Sequence, residues 1–340
     1  MSKSIVFTGG GSGGHSVVAF AIINHLKSQG INEISYIGSH TGIEKDMARG
    51  EEVKYYSIST GKLRRYFSID NFVDIFKFLF GILQSFYLFL TKLRNTDIVF
   101  STGGFVSVPA AIAGRLLGKK VYLHEQTSRL GLANKIISMF AHKVFVSFES
   151  TKSLIKKECI VSGLPIRESL TNMTETIVTT KPLLFVTGGG NGSALINSLI
   201  DSYKHELLEK FVIYHQVGKK FLNDYNESED YKVFGFINDE LPAILNSASL
   251  IISRAGAGTV CEMMYLGKKT IFIPLKIAQQ NEQYHNAMAA KKNGNALVVT
   301  EDELDCINFM DIVEKAILLN DKSVSRLNNA CEIIFREILN

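Results

Sequence analysis

The chain has 340 residues, of which 46% are hydrophobic and 21% charged. That composition excludes a disordered chain, a collagen and a coiled coil, and at roughly 150 residues per domain the length predicts two domains, each able to bury its own core. Lys and Arg number 37 against 33 Asp and Glu, a net charge of +4, too small a surplus for a nucleic-acid-binding protein, so no nucleic-acid partner is expected.

In chain order, short β-branched runs alternate with longer stretches of helical period. Residues 4–8, 33–37, 97–101, 119–123 and 143–147 read as strands, with helices over 14–29 and 107–117 between them. The second half repeats the scheme with strands at 183–187, 211–216, 250–253, 270–273 and 296–299. Alternation of this kind implies parallel sheets with helices on both faces, an α/β class. The halves also open alike. Thr8-Gly9-Gly10-Gly11 and Thr187-Gly188-Gly189-Gly190 each follow an apolar strand and precede a helix. Two similar doubly wound, Rossmann-like domains are the economical reading. The polar stretch 171–181 has linker composition and puts the boundary near it, with domains over 1–165 and 166–325. A last helix, roughly 323–339, could pack on either, and 326–340 is read as a separate terminal segment.

The four cysteines (Cys159, Cys261, Cys306, Cys331) are far apart with no CxxC pair, so neither a zinc site nor a disulfide framework is expected and a reduced cytosol is the simplest setting. The opening Met-Ser-Lys-Ser runs directly into a strand, so no signal peptide is expected. Residues 78–91 carry no charge and include Phe78, Phe80, Phe86, Tyr87 and Phe89. The run is shorter than the about 20 apolar residues a membrane span needs, and a helix buried against the sheet is the default. Yet Lys62, Arg64, Arg65, Lys77, Lys92 and Arg94 flank it, and basic flanks beside exposed aromatics such as Phe78 and Phe80 suit an anionic membrane surface.

Residues 9–14, Gly-Gly-Gly-Ser-Gly-Gly, satisfy GxGxxG between strand and helix. Such glycines let a phosphate approach the backbone, and the helix start adds free N–H groups. A dinucleotide site also wants an acid ending the second strand. Here that strand ends Tyr36-Ile37-Gly38-Ser39, and the second loop, 188–193, breaks the pattern at Ser193, so a dehydrogenase is disfavoured. More polar clusters fall at strand ends: 102–105, 124–127, 254–259 and 279–286. Ligands of open α/β sheets sit outside the carboxyl ends of the strands, and polar loops there from both halves imply a cleft between two domains. The 254–262 element describes a nucleoside diphosphate site. Its glycine turn can hold phosphate, and Glu262, one turn into the helix, can take two ribose hydroxyls. The competing readings are a tight βα turn and an exposed helix carboxylate. His15, directly after the first glycine loop, is a candidate general base, since neutral imidazole accepts a proton near pH 7. Glu125 and His124 are rival bases, and His124 could instead simply orient its loop. No DxD-type acidic cluster marks a metal site in these loops, so neither a metal nor a cofactor is expected.

The ordered set of motifs at 9–15, 103–109, 124–126, 131–135, 163–167, 188–193, 253–262 and 283–287 resembles the MurG-type N-acetylglucosaminyltransferases along nearly the whole chain. These are peripheral enzymes that convert lipid I to lipid II in peptidoglycan synthesis. The resemblance implies the GT-B fold: two Rossmann-like domains with an interdomain cleft, acceptor and membrane on the N-terminal side, donor on the C-terminal side. It implies an inverting transfer of N-acetylglucosamine from UDP-N-acetylglucosamine to lipid I, at the cytoplasmic face of the plasma membrane. Residues 257–261 (Ala257, Gly258, Thr259, Val260, Cys261) and Glu262 would hold diphosphate and ribose. The backbone of Ile237 would meet uracil, and Arg167, Gly190 and Asn191 would line the nucleotide side. Gln283 and Asn286 would contact the sugar, faced by Ser12, Gly13, Gly14, Thr127 and Asn134. The chain departs from the family pattern at Ser12 (usually Thr), at Thr127 (usually Asn) and at Gly190 (usually Ser). The competing expectations are a GT-B transferase with another acceptor, a UDP-sugar epimerase, and a catalytically silent UDP-sugar-binding subunit.

Overall fold

The computed structural model describes residues 3–11, 13–61, 70–171, 173–278, 281–320 and 330–339. The chain forms two compact units that divide after Glu168, and the terminal helix Ala330–Leu339 belongs to the first.

The first unit holds a sheet of seven parallel strands: β1 (Ile5–Gly9), β2 (Ile34–Gly38), β3 (Lys54–Ser57), β4 (Ile98–Gly103), β5 (Lys120–Glu125), β6 (Lys143–Val146) and β7 (Cys159–Val161). Their order is β3-β2-β1-β4-β5-β6-β7. The second unit holds six parallel strands: β8 (Leu183–Thr187), β9 (Val212–Gln216), β10 (Tyr231–Phe234), β11 (Ala248–Ser253), β12 (Thr270–Phe272) and β13 (Ala296–Val298). Their order is β10-β9-β8-β11-β12-β13. Both sheets reverse direction of growth beside their first strand, at β1/β4 and at β8/β11. The chain thus builds the same doubly wound layout twice, each with a switch point where loops diverge and leave room for a ligand. Every residue of β1 and of β8 is buried, as expected where helices cover both faces and the strand is one continuous apolar run.

Three strands have no clear counterpart in the sequence reading: β3, β7 and β10. All are short and lie at sheet edges; β3 has no buried position, and β7 and β10 mix buried with half-exposed ones, so none presents a continuous apolar run. The terminal helix is fastened to the first unit by Lys3 Nζ, which donates to the Ile338 carbonyl at 2.6 Å, and by His25 Nε2 beside Glu332 at 3.3 Å.

The apolar run at 78–91 lies within a 21-residue helix, Asp70–Leu90. Phe89 is buried, and Phe78 and Phe86 pack against the core of the first unit. Gly81 lets the helix close on the chain below, since a Cβ there would sit 2.2 Å from the Ser59 carbonyl. The opposite face is apolar and open, with Ile75, Phe76, Leu79, Phe80, Leu83, Tyr87 and Leu90 all exposed. This corrects the pairing of Phe78 with Phe80 on one surface. Two residues turn a helix by about 200°, so the packing that half-buries Phe78 turns Phe80 outward. Lys62, Arg64 and Arg65 lie outside the described residues. Among those described, no helix is long and apolar enough to cross a membrane.

Candidate functional site

In the first unit the loops after β1 and β4 meet at the switch point. Gly10 N–H donates to the Gly103 carbonyl at 3.2 Å. Gly104 has φ +83°, and a Cβ on it would lie 2.0 Å from the Gly10 carbonyl, so only glycine lets the two loops touch. Gly13 and Gly14 begin the helix Gly13–Ser28, which carries His15 in its first turn, while Ser12 lies outside the described residues.

His15 Nδ1 lies 2.8 Å from the Thr102 carbonyl, and Thr102 Oγ1 donates back to the His15 carbonyl at 2.9 Å. A carbonyl only accepts, so Nδ1 carries the hydrogen and Nε2 keeps its lone pair. Gln126 Nε2 donates to the same carbonyl at 2.7 Å and fixes it in place. Burial pushes the imidazole below its ordinary pKa, against the opposing pull of the Glu125 and Glu44 carboxylates, so the ring is neutral at pH 7. The result is an oriented, uncharged base.

Glu125 is placed differently from a free base. Its carboxylate is buried, and both oxygens receive donors from its own loop. Oε1 accepts from Thr127 N and Thr127 Oγ1, each at 2.9 Å, and Oε2 from Asn134 Nδ2 at 2.9 Å and Gly131 N at 3.2 Å. Glu125 therefore organises residues 125–134, and Thr127 and Asn134, both expected to face a sugar, are drawn onto it. His124 is fully buried with Nε2 3.0 Å from the Gly163 carbonyl, and burial lowers its pKa to about 4. It orients the loop that follows β7.

Glu44, in the first turn of the helix Ile43–Gly50, belongs to none of the sequence motifs. Its side chain is buried directly under Gly10, where an added Cβ would lie 2.6 Å from Oε1, and that oxygen accepts from Ser39 N at 3.0 Å and Ser39 Oγ at 2.6 Å. A single Glu on a short helix gives no sequence signal, because only packing brings it to the loop.

In the second unit the loops after β8 and β11 flank the other switch point. Gly192 has φ +72°, and a Cβ there would sit 1.8 Å from the Val217 carbonyl. Gly190 and Asn191 are exposed at the tip of this loop, and Ser193 Oγ caps the helix Ala194–Ser202 by accepting from Ile196 N at 3.4 Å. Gln216, at the end of β9, ties three segments together. Its Nε2 donates to the Gly189 carbonyl at 3.0 Å, and its Oε1 accepts from Ile237 N at 2.9 Å. Of the Ile237 backbone expected to meet uracil, the N–H is thus already donated within the protein. Beside it the ring of Phe236 is exposed and lies against Gly190, where an added Cβ would be 3.5 Å from the ring. Phe236 is the flat apolar surface next to this loop, another feature that only the fold reveals.

The helix Ala257–Leu266 starts at the end of the β11 loop. Ala257, Gly258 and Thr259 form its half-buried first turn, whereas the Val260 side chain is buried in the core, leaving only its backbone for a ligand. Burial raises the Cys261 thiol pKa well above its ordinary value, so it stays protonated. Glu262 is buried, which removes the reading of an exposed helix carboxylate. Gln283 Oε1 accepts from Ala255 N at 3.2 Å and Leu275 N at 3.0 Å, and Asn286 Nδ2 donates to the Ala255 carbonyl at 3.3 Å. Both carboxamides pin the β11 loop, so any sugar contact uses the atoms left over. Arg167 is half-buried just before the helix Glu168–Thr171.

Two family models match the chain: the glycosyltransferase family 28 N-terminal domain over residues 5–146 and the family 28 C-terminal domain over residues 183–332. A Clostridium tetani protein named UDP-N-acetylglucosamine–N-acetylmuramyl-(pentapeptide) pyrophosphoryl-undecaprenol N-acetylglucosamine transferase is 38% identical over 97% of this chain and 94% of its own length. A Bacillus cereus protein of the same name, numbered 2, is 41% identical over 94% of this chain and 93% of its own. Among solved structures, Acinetobacter baumannii MurG superposes with a TM-score of 0.77 at 24% identity, covering 99% of both chains. A putative UDP-N-acetylglucosamine 2-epimerase from Listeria monocytogenes gives 0.65 at 12% identity, covering 99% of this chain and 96% of that one. These structural likenesses speak to the fold, which is GT-B.

Proposed function

Since the chain belongs to glycosyltransferase family 28, among the MurG-type N-acetylglucosaminyltransferases, we propose that it transfers N-acetylglucosamine from UDP-N-acetylglucosamine to lipid-linked N-acetylmuramoyl-pentapeptide, making lipid II for peptidoglycan. The observation that carries this reading is near full-length identity of 38–41% to transferases bearing that name. Epimerases share the fold at 12% identity, which does not extend to their chemistry.

In the proposed mechanism His15 Nε2 takes the proton of the acceptor hydroxyl. The hydroxyl oxygen attacks the anomeric carbon from the face opposite the nucleotide, the bond from that carbon to the diphosphate oxygen breaks, and configuration inverts. UDP leaves with its charge held by N–H groups of the 188–193 loop and of the first turn at 257–259, where the helix dipole adds a fixed partial positive charge. Glu262 is assigned to the ribose, and the exposed face of Phe236 beside Gly190 is a surface for the base. Glu125 acts by shaping the 125–134 loop. The oriented, neutral state of His15 supports its role over that of Glu125, whose oxygens are occupied.

The acceptor carries a polyprenyl tail, so its headgroup is met at a bilayer. The open apolar face of the helix Asp70–Leu90 supports peripheral attachment through the first unit at the cytoplasmic side of the plasma membrane. Lys62, Arg64 and Arg65 precede this helix in sequence and would add attraction to anionic lipid.

The deciding experiment is transfer of radiolabel from UDP-N-acetylglucosamine to lipid I or a short-chain analogue. Labelled lipid II is the expected product. Release of a free UDP-sugar epimer without acceptor, or UDP binding without turnover, would replace the transferase reading by the epimerase or the silent subunit.

A further inference from the structure

Arg254 directly follows β11 at the start of the glycine turn 254–256, and its side chain is buried. Its backbone N–H donates to the Thr187 carbonyl at 3.3 Å. From the guanidinium, Nε donates to Ser193 Oγ at 3.1 Å, and Nη1 to the Ile273 carbonyl at 3.2 Å and to Glu301 Oε1 at 2.6 Å. The two charged side chains are 10% and 19% exposed, so the pair is largely withdrawn from water. These partners come from the carboxyl ends of four parallel strands. Thr187 ends β8 and Ser193 closes its loop, Arg254 follows β11, Ile273 follows β12, and Glu301 lies shortly after β13. One guanidinium therefore fastens both loops of the second switch point to each other. A buried cation without its anion would be costly, so the carboxylate is what keeps Arg254 in this position.

We propose that Glu301 is a positioning residue for the donor nucleotide: through Arg254 it fixes Ser193 and thereby the 188–193 loop against the 254–259 turn. The inference rests on the donor-side reading above, in which these two loops hold the diphosphate. Glu301 touches no substrate. Its effect passes through the order Arg254 → Ser193 → loop backbone, and the 2.6 Å contact sets the guanidinium plane that aims Nε at Ser193 Oγ.

The test is Glu301→Gln in the full chain, with UDP affinity by calorimetry and separate KM values for UDP-N-acetylglucosamine and the lipid acceptor. UDP affinity should weaken about tenfold, with the donor KM rising in parallel and the acceptor KM unchanged. The sign is diagnostic. Removing a carboxylate near a diphosphate site would by charge alone tighten an anion, and a role confined to stability would leave the affinity of the folded protein unchanged. Ser193→Ala should weaken UDP similarly, and the double variant should lose little more than either single one, because both break the same linkage. If Glu301→Gln does not fold, Ser193→Ala, which leaves the ion pair in place, carries the affinity test alone. Equal or tighter UDP binding by Glu301→Gln, or full additivity in the double variant, overturns the proposal. A wild-type protein that does not bind UDP would instead overturn the donor-side reading, and this inference with it.

Discussion

Replacing Leu79, Phe80 and Leu83 by Ser should release the protein from membranes without unfolding it. The three side chains are 50%, 55% and 65% exposed on the open face of the helix Asp70–Leu90, so they contribute little to the core. Removing a whole Leu or Phe from water is worth about 1.5–3 kcal/mol, and the uncovered half to two-thirds of each leaves about 1 kcal/mol per residue for insertion. The three together then contribute about 3 kcal/mol, a partition change on the order of a hundredfold. The assay is co-sedimentation with vesicles containing anionic lipid, at two salt concentrations. The hydrophobic part should persist at high salt, while any part due to basic residues should fade. UDP affinity should be unaltered, because the loops proposed to hold the diphosphate, together with Glu262 and Phe236, belong to the second unit. If the triple variant sediments with vesicles as well as wild type does, this helix face is not the attachment surface.

His15→Ala should lower kcat by about 10²–10⁴-fold with donor affinity retained, since the base acts on the acceptor proton; near-full turnover in single-time-point kinetics would move the role elsewhere. Because burial lowers the His15 pKa, the base stays unprotonated below its usual range, and the acid limb of the kcat/KM profile should fall below pH 6.5; a limb above that value contradicts the assignment. Glu262→Ala should weaken UDP by about 1.5–3 kcal/mol through loss of charge-assisted hydrogen bonds to ribose, read by calorimetry. The protein should also lose stability as pH falls below 6.5. His124 and His215 stay neutral when folded, with pKa values of about 4 and about 3, whereas the unfolded chain takes up protons from about pH 6.5 downward. Stability from these groups is complete above that pH and drains toward pH 4 and below, costing roughly 2 kcal/mol for each by pH 5. Thermal melts of wild type and of His124→Asn across pH 5–8 check the slope.

The sequence alone determined the class of fold and the inner strands of both sheets. β1, β4, β8 and β11 are buried on both faces, so each must be an apolar run and each is readable as one. Glycine loops also declare themselves, because no other residue suits the positive φ of Gly104 or Gly192. Of the edge strands, β13 was readable but β3, β7 and β10 were not, since one side of an edge strand need not be apolar. Which face of the helix at 70–90 is open was likewise hidden. Phe78 and Phe80 are chemically identical, and only packing against the sheet distinguishes them. The roles of the carboxylates were decided by tertiary structure as well. Glu125 looks like a base in sequence, and four donors from its own loop make it a scaffold; Glu44 looks like nothing, and the fold seats it beneath Gly10. Arg254 and Glu301 are 47 residues apart, and their contact exists only because parallel strands bring every carboxyl end to the same edge of the sheet. Sequence pattern records which groups a local segment must bury. Hydrogen bonds between groups that the fold brings together leave no such pattern, and they are what orient the His15 ring, occupy the Glu125 carboxylate and join Arg254 to Glu301.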